Sequence, residues 1–372
     1  MGSWGIALAA FVSVGVAAAL ALALARVGRR HRRALDDTWH EPQKLHRGAV
    51  PRIGGIAIAA GLLAGAATLT LAPEADAGLF WVLLLCLVPG FAWGLHEDLS
   101  KRGAVLARLA LTGMTPVLAY VLLDARLTEV ALPLLDDLLA IHALSFLFTV
   151  FAVTGIAHAI NVVDGLNGLA GMTALLAAAG IALVAWTVGD AELAGAAAVL
   201  GATVAGFLLV NYPRGRLFLG DGGAYLVGLM LALLAVMLVH RNPEVSPWFP
   251  LVLLAYPVWE TLFSAWRRRR RGRSPGHADA LHLHSLVYRR MVRRTDAVAR
   301  NSLASLIMWF WPFLCLALAL VLWRETLDLQ LAALSVAALY VLAYRRLVRF
   351  GVPRRRAAAA PVLEADPAAE GR

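Results

Sequence analysis

Long apolar runs alternate with short polar breaks along the whole of this chain. Each run is close to 20 residues, the length that crosses roughly 30 Å of hydrocarbon as a helix. The runs are continuous and do not alternate residue by residue, which excludes a transmembrane barrel. They predict an all-α, polytopic helical membrane protein of about eleven spans: 3–25, 53–72, 79–95, 104–123, 139–158, 168–188, 193–210, 222–240, 247–266, 303–323 and 327–345. The first run has no basic segment before it and no convincing cleavage site, so it reads as a retained helix and not as a signal peptide. Residues 1–350 read as a single integral-membrane domain, and 351–372, rich in Ala, Pro and Glu, as a disordered cytoplasmic tail.

Composition agrees with this pattern. The 372 residues are 60% hydrophobic, with a mean hydropathy of +0.71, well above a soluble domain. The net charge of +10 would suggest nucleic acid in a soluble protein. Here the charge lies in short loops between spans, so nucleic acid is set aside for membrane topology and anionic lipid. Of the 34 basic residues, all but Arg126, Arg241 and Arg324 fall in or beside one alternate set of loops. By the positive-inside rule that set is cytoplasmic; the N-terminus is then outside and the C-terminus inside. Cys86 and Cys315 lie within apolar runs, which argues against a disulfide framework.

Five polar islands fall on the predicted cytoplasmic side, and each has a bland reading beside a functional one. Glu97-Asp98 closes the third span. It could be interfacial solvation, with Asp98 paired to Arg102 four residues on, or a carboxylate pair that holds Mg²⁺ or meets a phosphate. Asn161-Val162-Val163-Asp164-Gly165-Leu166-Asn167 joins spans five and six. It could be a turn, or it could present Asn161, Asp164 and Asn167 on one helical face at i, i+3 spacing. Gly220-Asp221-Gly222-Gly223 opens span eight, where Asp221 could cap the helix or bind metal with an oxygen to spare. His277 to His284 follows an arginine run. Its His-x-His pair, His282 and His284, suggests zinc at first sight, but no Cys or complete ligand set accompanies it, and diphosphate binding fits better. Pro42-Gln43-Lys44-Leu45-His46 and Pro51-Arg52-Ile53-Gly54-Gly55 precede span two, and Arg52 could bind phosphate or simply mark the boundary. The pair Asp136-Asp137 looks attractive but falls on the outer side, and is excluded.

Taken in order, the islands resemble the polyprenyl-phosphate N-acetylhexosamine-1-phosphate transferases, glycosyltransferase family 4, over roughly residues 36–290. The family's Asp-Asp pair matches Glu97-Asp98. Its Asn-x-x-Asp-Gly-x-Asp stretch matches Asn161, Asp164 and Asn167, and its Gly-Asp-x-Gly matches Gly220, Asp221 and Gly223. Its histidine loop matches His282 and His284, and its Pro-Arg-x-Gly-Gly matches Pro51 to Gly55. Glu97 and Asn167 depart from Asp, Ser285 from a last His, Ala224 from Ser, and His158 from an Asn.

The resemblance implies transfer of N-acetylhexosamine-1-phosphate from a UDP-sugar to polyprenyl phosphate, with release of UMP, at the bacterial inner membrane. It implies Mg²⁺ (or Mn²⁺) on Asp221, Glu97, Asp98 and Asp164 as catalytic carboxylates, and Lys44, Arg52, Asn161, Asn167, His282 and His284 as substrate-binding residues. The pattern is nearer the O-antigen or capsule branch than the peptidoglycan branch. The sequence leaves the sugar open, and a homodimer is compatible with it. The rival readings are a transporter or flippase that uses the same acids and histidines for coupling, and a scaffold for anionic lipid.

Overall fold

The computed structural model describes residues 3–31, 35–36, 49–72, 77–272, 281–292 and 296–349. Ten helices among them are long and apolar enough to cross a membrane. They are α1 (Ser3–Val27), α2 (Gly54–Leu71), α3 (Gly78–Ser100), α4 (Val105–Leu123), α6 (His142–Val163), α7 (Leu169–Thr187), α8 (Ala191–Asn211), α9 (Gly220–Arg241), the pair α13 (Ala297–Met308) and α14 (Phe310–Leu322), and α15 (Thr326–Arg349). Three short helices, α5 (Pro133–Leu139), α10 (Phe249–Leu253) and α12 (Leu283–Arg290), and the longer α11 (Ala255–Arg270) complete the α-helices among the described residues. A two-residue antiparallel ladder pairs Leu35–Asp36 with Val50–Pro51.

The predicted span 247–266 is divided. It forms α10 and α11 (Ala255–Arg270), with the break at Leu254. The cause is Pro257, whose ring has no N–H and clashes with the carbonyl four residues back, at Leu253. Pro312 stands in the same relation to Met308, where α13 gives way to α14. At one end Ser246 Oγ lies 2.8 Å from Thr326 Oγ1. At the other, Arg267 donates to the Tyr344 hydroxyl. These contacts make α10 and α11 together an eleventh pass through the bundle.

Helix α9 is the centre of the packing. Every residue from Gly222 to Leu238 is buried, and all but Tyr225 in that stretch are Gly, Met or aliphatic residues. It is surrounded by α2, α3 and α6, with α7, α8 and α4 behind. Two glycine contacts set how close the helices come. A Cβ on Gly94 would lie 2.6 Å from the Gly222 Cα, and one on Gly55 2.8 Å from the Gly223 Cα. At membrane depth, where apolar surface gains little by meeting other apolar surface, such small-residue contacts let helices pack tightly. They bring the start of α2, the end of α3 and the start of α9 to one place. Cys86 and Cys315 are both free and buried, as expected of thiols inside apolar helices.

Candidate active site

The polar ends of four helices meet at the start of α9. Asp98, near the end of α3, is 1% exposed at its side chain. Its Oδ1 accepts from the backbone N–H of Asp221, and its Oδ2 from that of Gly222, both at 2.9 Å. These N–H groups belong to the first turn of α9 and have no partner within the helix. Asp98 therefore caps α9 from 123 residues away, while the residue before the helix, Leu219, makes no side-chain cap. Asp221 is not the cap and its carboxylate faces other partners.

Both hydrogen bonds to the Asp221 carboxylate converge on Oδ1. Arg52 donates at 2.6 Å and the Asn161 side-chain amide at 2.7 Å. The Arg52 Nε also lies 3.3 Å from Asp98 Oδ1, so one guanidinium bridges the two aspartates. The Asp221 side chain is 17% exposed, the most accessible carboxylate of the pair. Arg52 is thus part of the carboxylate cluster and more than a boundary marker.

Glu97 faces another way. Arg108, inside α4, donates from Nε to both Glu97 oxygens at 3.1 Å and from Nη2 to Oε1 at 3.0 Å. Glu97 is 4% exposed at its side chain, so this is a buried charge answered by a bidentate partner. Neither acid of the Glu97-Asp98 pair is engaged with Arg102; Asp98 pairs with Arg52 and Glu97 with Arg108. Next to them, His158 Nε2 lies 3.3 Å from Thr112 Oγ1, and its ring meets Tyr225 edge-on at 5.1 Å.

The one-face arrangement of Asn161, Asp164 and Asn167 does not form. Helix α6 stops at Val163, and Asp164 follows it as a half-buried cap residue with ψ 50°. Asn161, in the last turn of α6, still points to Asp221. Asn167 lies beyond the helix, buried, where its amide donates to the Pro213 carbonyl at 3.1 Å and its backbone N–H to Asn301 Oδ1 at 2.8 Å. Gly168, with φ 76°, turns the chain into α7, and its N–H donates to Asn211 Oδ1 at 2.6 Å. Asn167 ties the loop before α9 to the rest of the bundle.

The two histidines form a second cluster at the same end. Their rings are parallel within 3° with centroids 5.3 Å apart. His282 Nδ1 lies 3.0 Å from Oε1 of Glu260, a side chain with no exposed surface. A Cβ on Gly165 would collide with His284 Nε2, so this ring abuts the loop that carries Asp164. Lys44, His277 and Asp279 lie outside the described residues. Asp136 bonds locally, accepting from the Val130 N–H at 2.7 Å, away from these clusters.

Sequence reasoning missed Arg108, Glu260, Asn211 and Asn301. Two carried a signal: Arg108 and Glu260 are ionisable residues inside predicted spans, which are costly there unless they have a partner. Asn211 and Asn301 gave none, since single amides near helix ends are common.

Among the described residues, no three His, Cys, Asp or Glu side chains lie close enough to hold a metal ion. Asp221 Oδ2 lies outside these hydrogen bonds, and a single carboxylate oxygen of this kind fits Mg²⁺, which takes one or two carboxylates and fills its remaining positions with water and substrate phosphate.

Comparison with known proteins agrees with this geometry. The family model described as Glycosyl transferase family 4 matches residues 80–239, which include Asp98, Asn161, Asp164, Asn167 and Asp221. A probable undecaprenyl-phosphate N-acetylglucosaminyl 1-phosphate transferase of Bacillus subtilis (strain 168) is 25% identical over 65% of this chain and 66% of its own length. An undecaprenyl-phosphate alpha-N-acetylglucosaminyl 1-phosphate transferase of Salmonella typhi is 26% identical over 72% of each chain. A decaprenyl-phosphate N-acetylglucosaminephosphotransferase of Mycobacterium leprae (strain TN) is 29% identical over 76% of this chain and 78% of its own. With its motifs in the family's order and its helix ends gathered around Asp221, the chain is similar to glycosyl transferase family 4 over residues 80–239.

Proposed function

We propose that this protein transfers an N-acetylhexosamine-1-phosphate from a UDP-sugar to polyprenyl phosphate and releases UMP. The observation that carries the reading is the gathering of Arg52, Asp98 and Asn161 around Asp221 at one end of the bundle. The similarity to that family and the names of the relatives support the same chemistry. The reaction would be the first membrane step in building a cell-envelope glycan such as O-antigen or capsule. By the positive-inside distribution, the site faces the cytoplasm from the inner membrane.

The lipid phosphate oxygen attacks the β-phosphorus of the nucleotide sugar. A new P–O bond forms there, the bond from that phosphorus to the bridging oxygen breaks, and UMP leaves with the electron pair. A phosphate monoester, with its second pKa near about 6, is already largely dianionic at pH 7. No strong base is needed, and alignment of the two phosphates is the larger task. Asp221 would hold Mg²⁺, which supplies charge neutralisation at phosphate oxygens when bound. Asp98 braces the α9 turn that carries Asp221, and Asn161 and Arg52 fix its carboxylate. Glu97 holds Arg108 by both of its oxygens beside this cluster, and Asp164 belongs to the loop that His284 abuts. Arg52, His282 and His284 would hold diphosphate, and Lys44 is a further cation for it.

The test is turnover. Purified protein with UDP-GlcNAc, polyprenyl phosphate and Mg²⁺ should release UMP and form a lipid diphosphate-sugar, and chelation should stop both. A panel of UDP-N-acetylhexosamines, including QuiNAc and FucNAc donors, would identify the sugar. Absence of UMP with every donor would overturn the reading, and is the result a transporter predicts.

A further inference from the structure

Glu260 stands apart from every motif discussed so far. It lies in α11, outside the segment matched by the family model, and its side chain is wholly enclosed. Its Oε1 is 3.0 Å from His282 Nδ1, and each of its oxygens accepts from the Leu283 N–H at 3.2 Å. Ser264, one turn along α11, places its hydroxyl 3.2 Å from the same His282 nitrogen. A carboxylate has no proton to give, so Nδ1 carries the proton and Nε2 is the nitrogen left for a ligand. The parallel ring of His284 rests on His282 and abuts Gly165, so the orientation of one ring constrains the other.

We propose that Glu260 is a positioning residue for phosphate binding: it fixes the tautomer and ring plane of His282, and through the stack that of His284. This rests on the transferase reading, in which these histidines hold diphosphate. A buried acid is costly in this setting unless it has a task or a partner. Capping α12 at Leu283 is one such task, but an amide oxygen would serve it equally well. The imidazole is the partner that gains from a full charge, since Ser264, whose hydroxyl donates to Glu260 Oε1 at 3.4 Å, and the Leu283 N–H are neutral donors. The end of α15 reinforces the loop, since Arg267 joins the Leu281 carbonyl to the Tyr344 hydroxyl.

A double-mutant cycle separates positioning from capping. Glu260→Gln keeps the size and an acceptor for the Leu283 N–H. It should melt close to wild type yet lose about 10- to 100-fold in kcat/KM, the range of a lost charge-assisted hydrogen bond. H282A should lose at least as much, and the double variant should be no slower than H282A alone. Losses that multiply would overturn the proposal while leaving the transferase reading intact. If E260Q fails to fold, Glu260→Asp, which keeps the charge but shortens the reach, should show a smaller loss with the same dependence on His282. Ring ¹⁵N spectra give a readout without turnover, with the His282 signals assigned by their absence in H282A. E260Q, or E260D in its place, should move the His282 Nδ1 resonance. An unmoved resonance overturns the proposal even if wild type releases no UMP, an outcome that would by itself overturn only the transferase reading.

Discussion

Acid–arginine pairs occur at both ends of the helix bundle, yet the two ends are built differently. At the site end, Arg52 bridges Asp98 and Asp221, and Arg108 grips Glu97, with carboxylates 1%, 17% and 4% exposed. Each arginine comes from a different segment from the acids it meets, Arg52 from just before α2 and Arg108 from α4. At the opposite end, Arg324 meets Glu244 with both side chains about half exposed, and Arg126 meets Asp124 two residues away. Asp190 is buried there, but it is spent as the N-cap of α8 and in a pair with Arg241. Cross-helix pairs thus occur at both ends, but only at the site end do several low-exposure acids and their arginines gather in one place; clustering of buried charge distinguishes a site from a charged rim.

The comparison can be broken most directly at Asp221. Asp221→Ala should lower kcat by about 100- to 1000-fold or more, the scale of removing a principal electrostatic element, while the melting temperature stays near wild type. Activity retained in UMP release would dissolve the distinction between the ends. The packing that creates the site end is tested next. Gly94→Val places a side chain where α3 meets the Gly222 backbone, and should cost about 1–3 kcal/mol, read as lower melting temperature and lower yield of folded protein. An effect of the same size belongs to Arg108→Ala, which leaves the buried Glu97 without its partner. About 1–3 kcal/mol of the desolvation cost of that carboxylate is then unanswered, and Arg108→Lys should recover only part because the bidentate fork is lost. Arg324→Ala at the other end should change stability by less than about 1 kcal/mol and leave turnover untouched. Asp136→Ala should likewise leave UMP release unchanged, and a large loss there would mean that the wrong end has been chosen.

Legibility from sequence followed physical range. The helices were legible because a span must satisfy its backbone internally and show lipid an apolar surface, so length and hydropathy suffice. The break at Leu254 was signalled by Pro257, but Pro89 and Pro116 lie inside unbroken α3 and α4, so proline alone did not decide it. Asp221 and Asn161 could be named as site candidates because polar groups at membrane depth need a reason. Their partnership could not, since 60 residues separate them. The helical spacing from Asn161 to Asn167 misled for a local reason: α6 ends at Val163, and the periodic argument has no force past the last turn.

What this chain's sequence determined alone was local and one-dimensional: where the helices run, where the charges cluster, and which family its ordered motifs resemble. What only the tertiary structure decided was which polar group answers which. Asp98 caps α9 in place of Asp221 and pairs with Arg52 in place of Arg102, Arg108 takes Glu97, Asn167 holds a loop, and Glu260 holds a histidine. Each depends on desolvation. A buried polar group must find a partner within about 3 Å, and packed helices supply it from wherever in the chain their ends happen to meet.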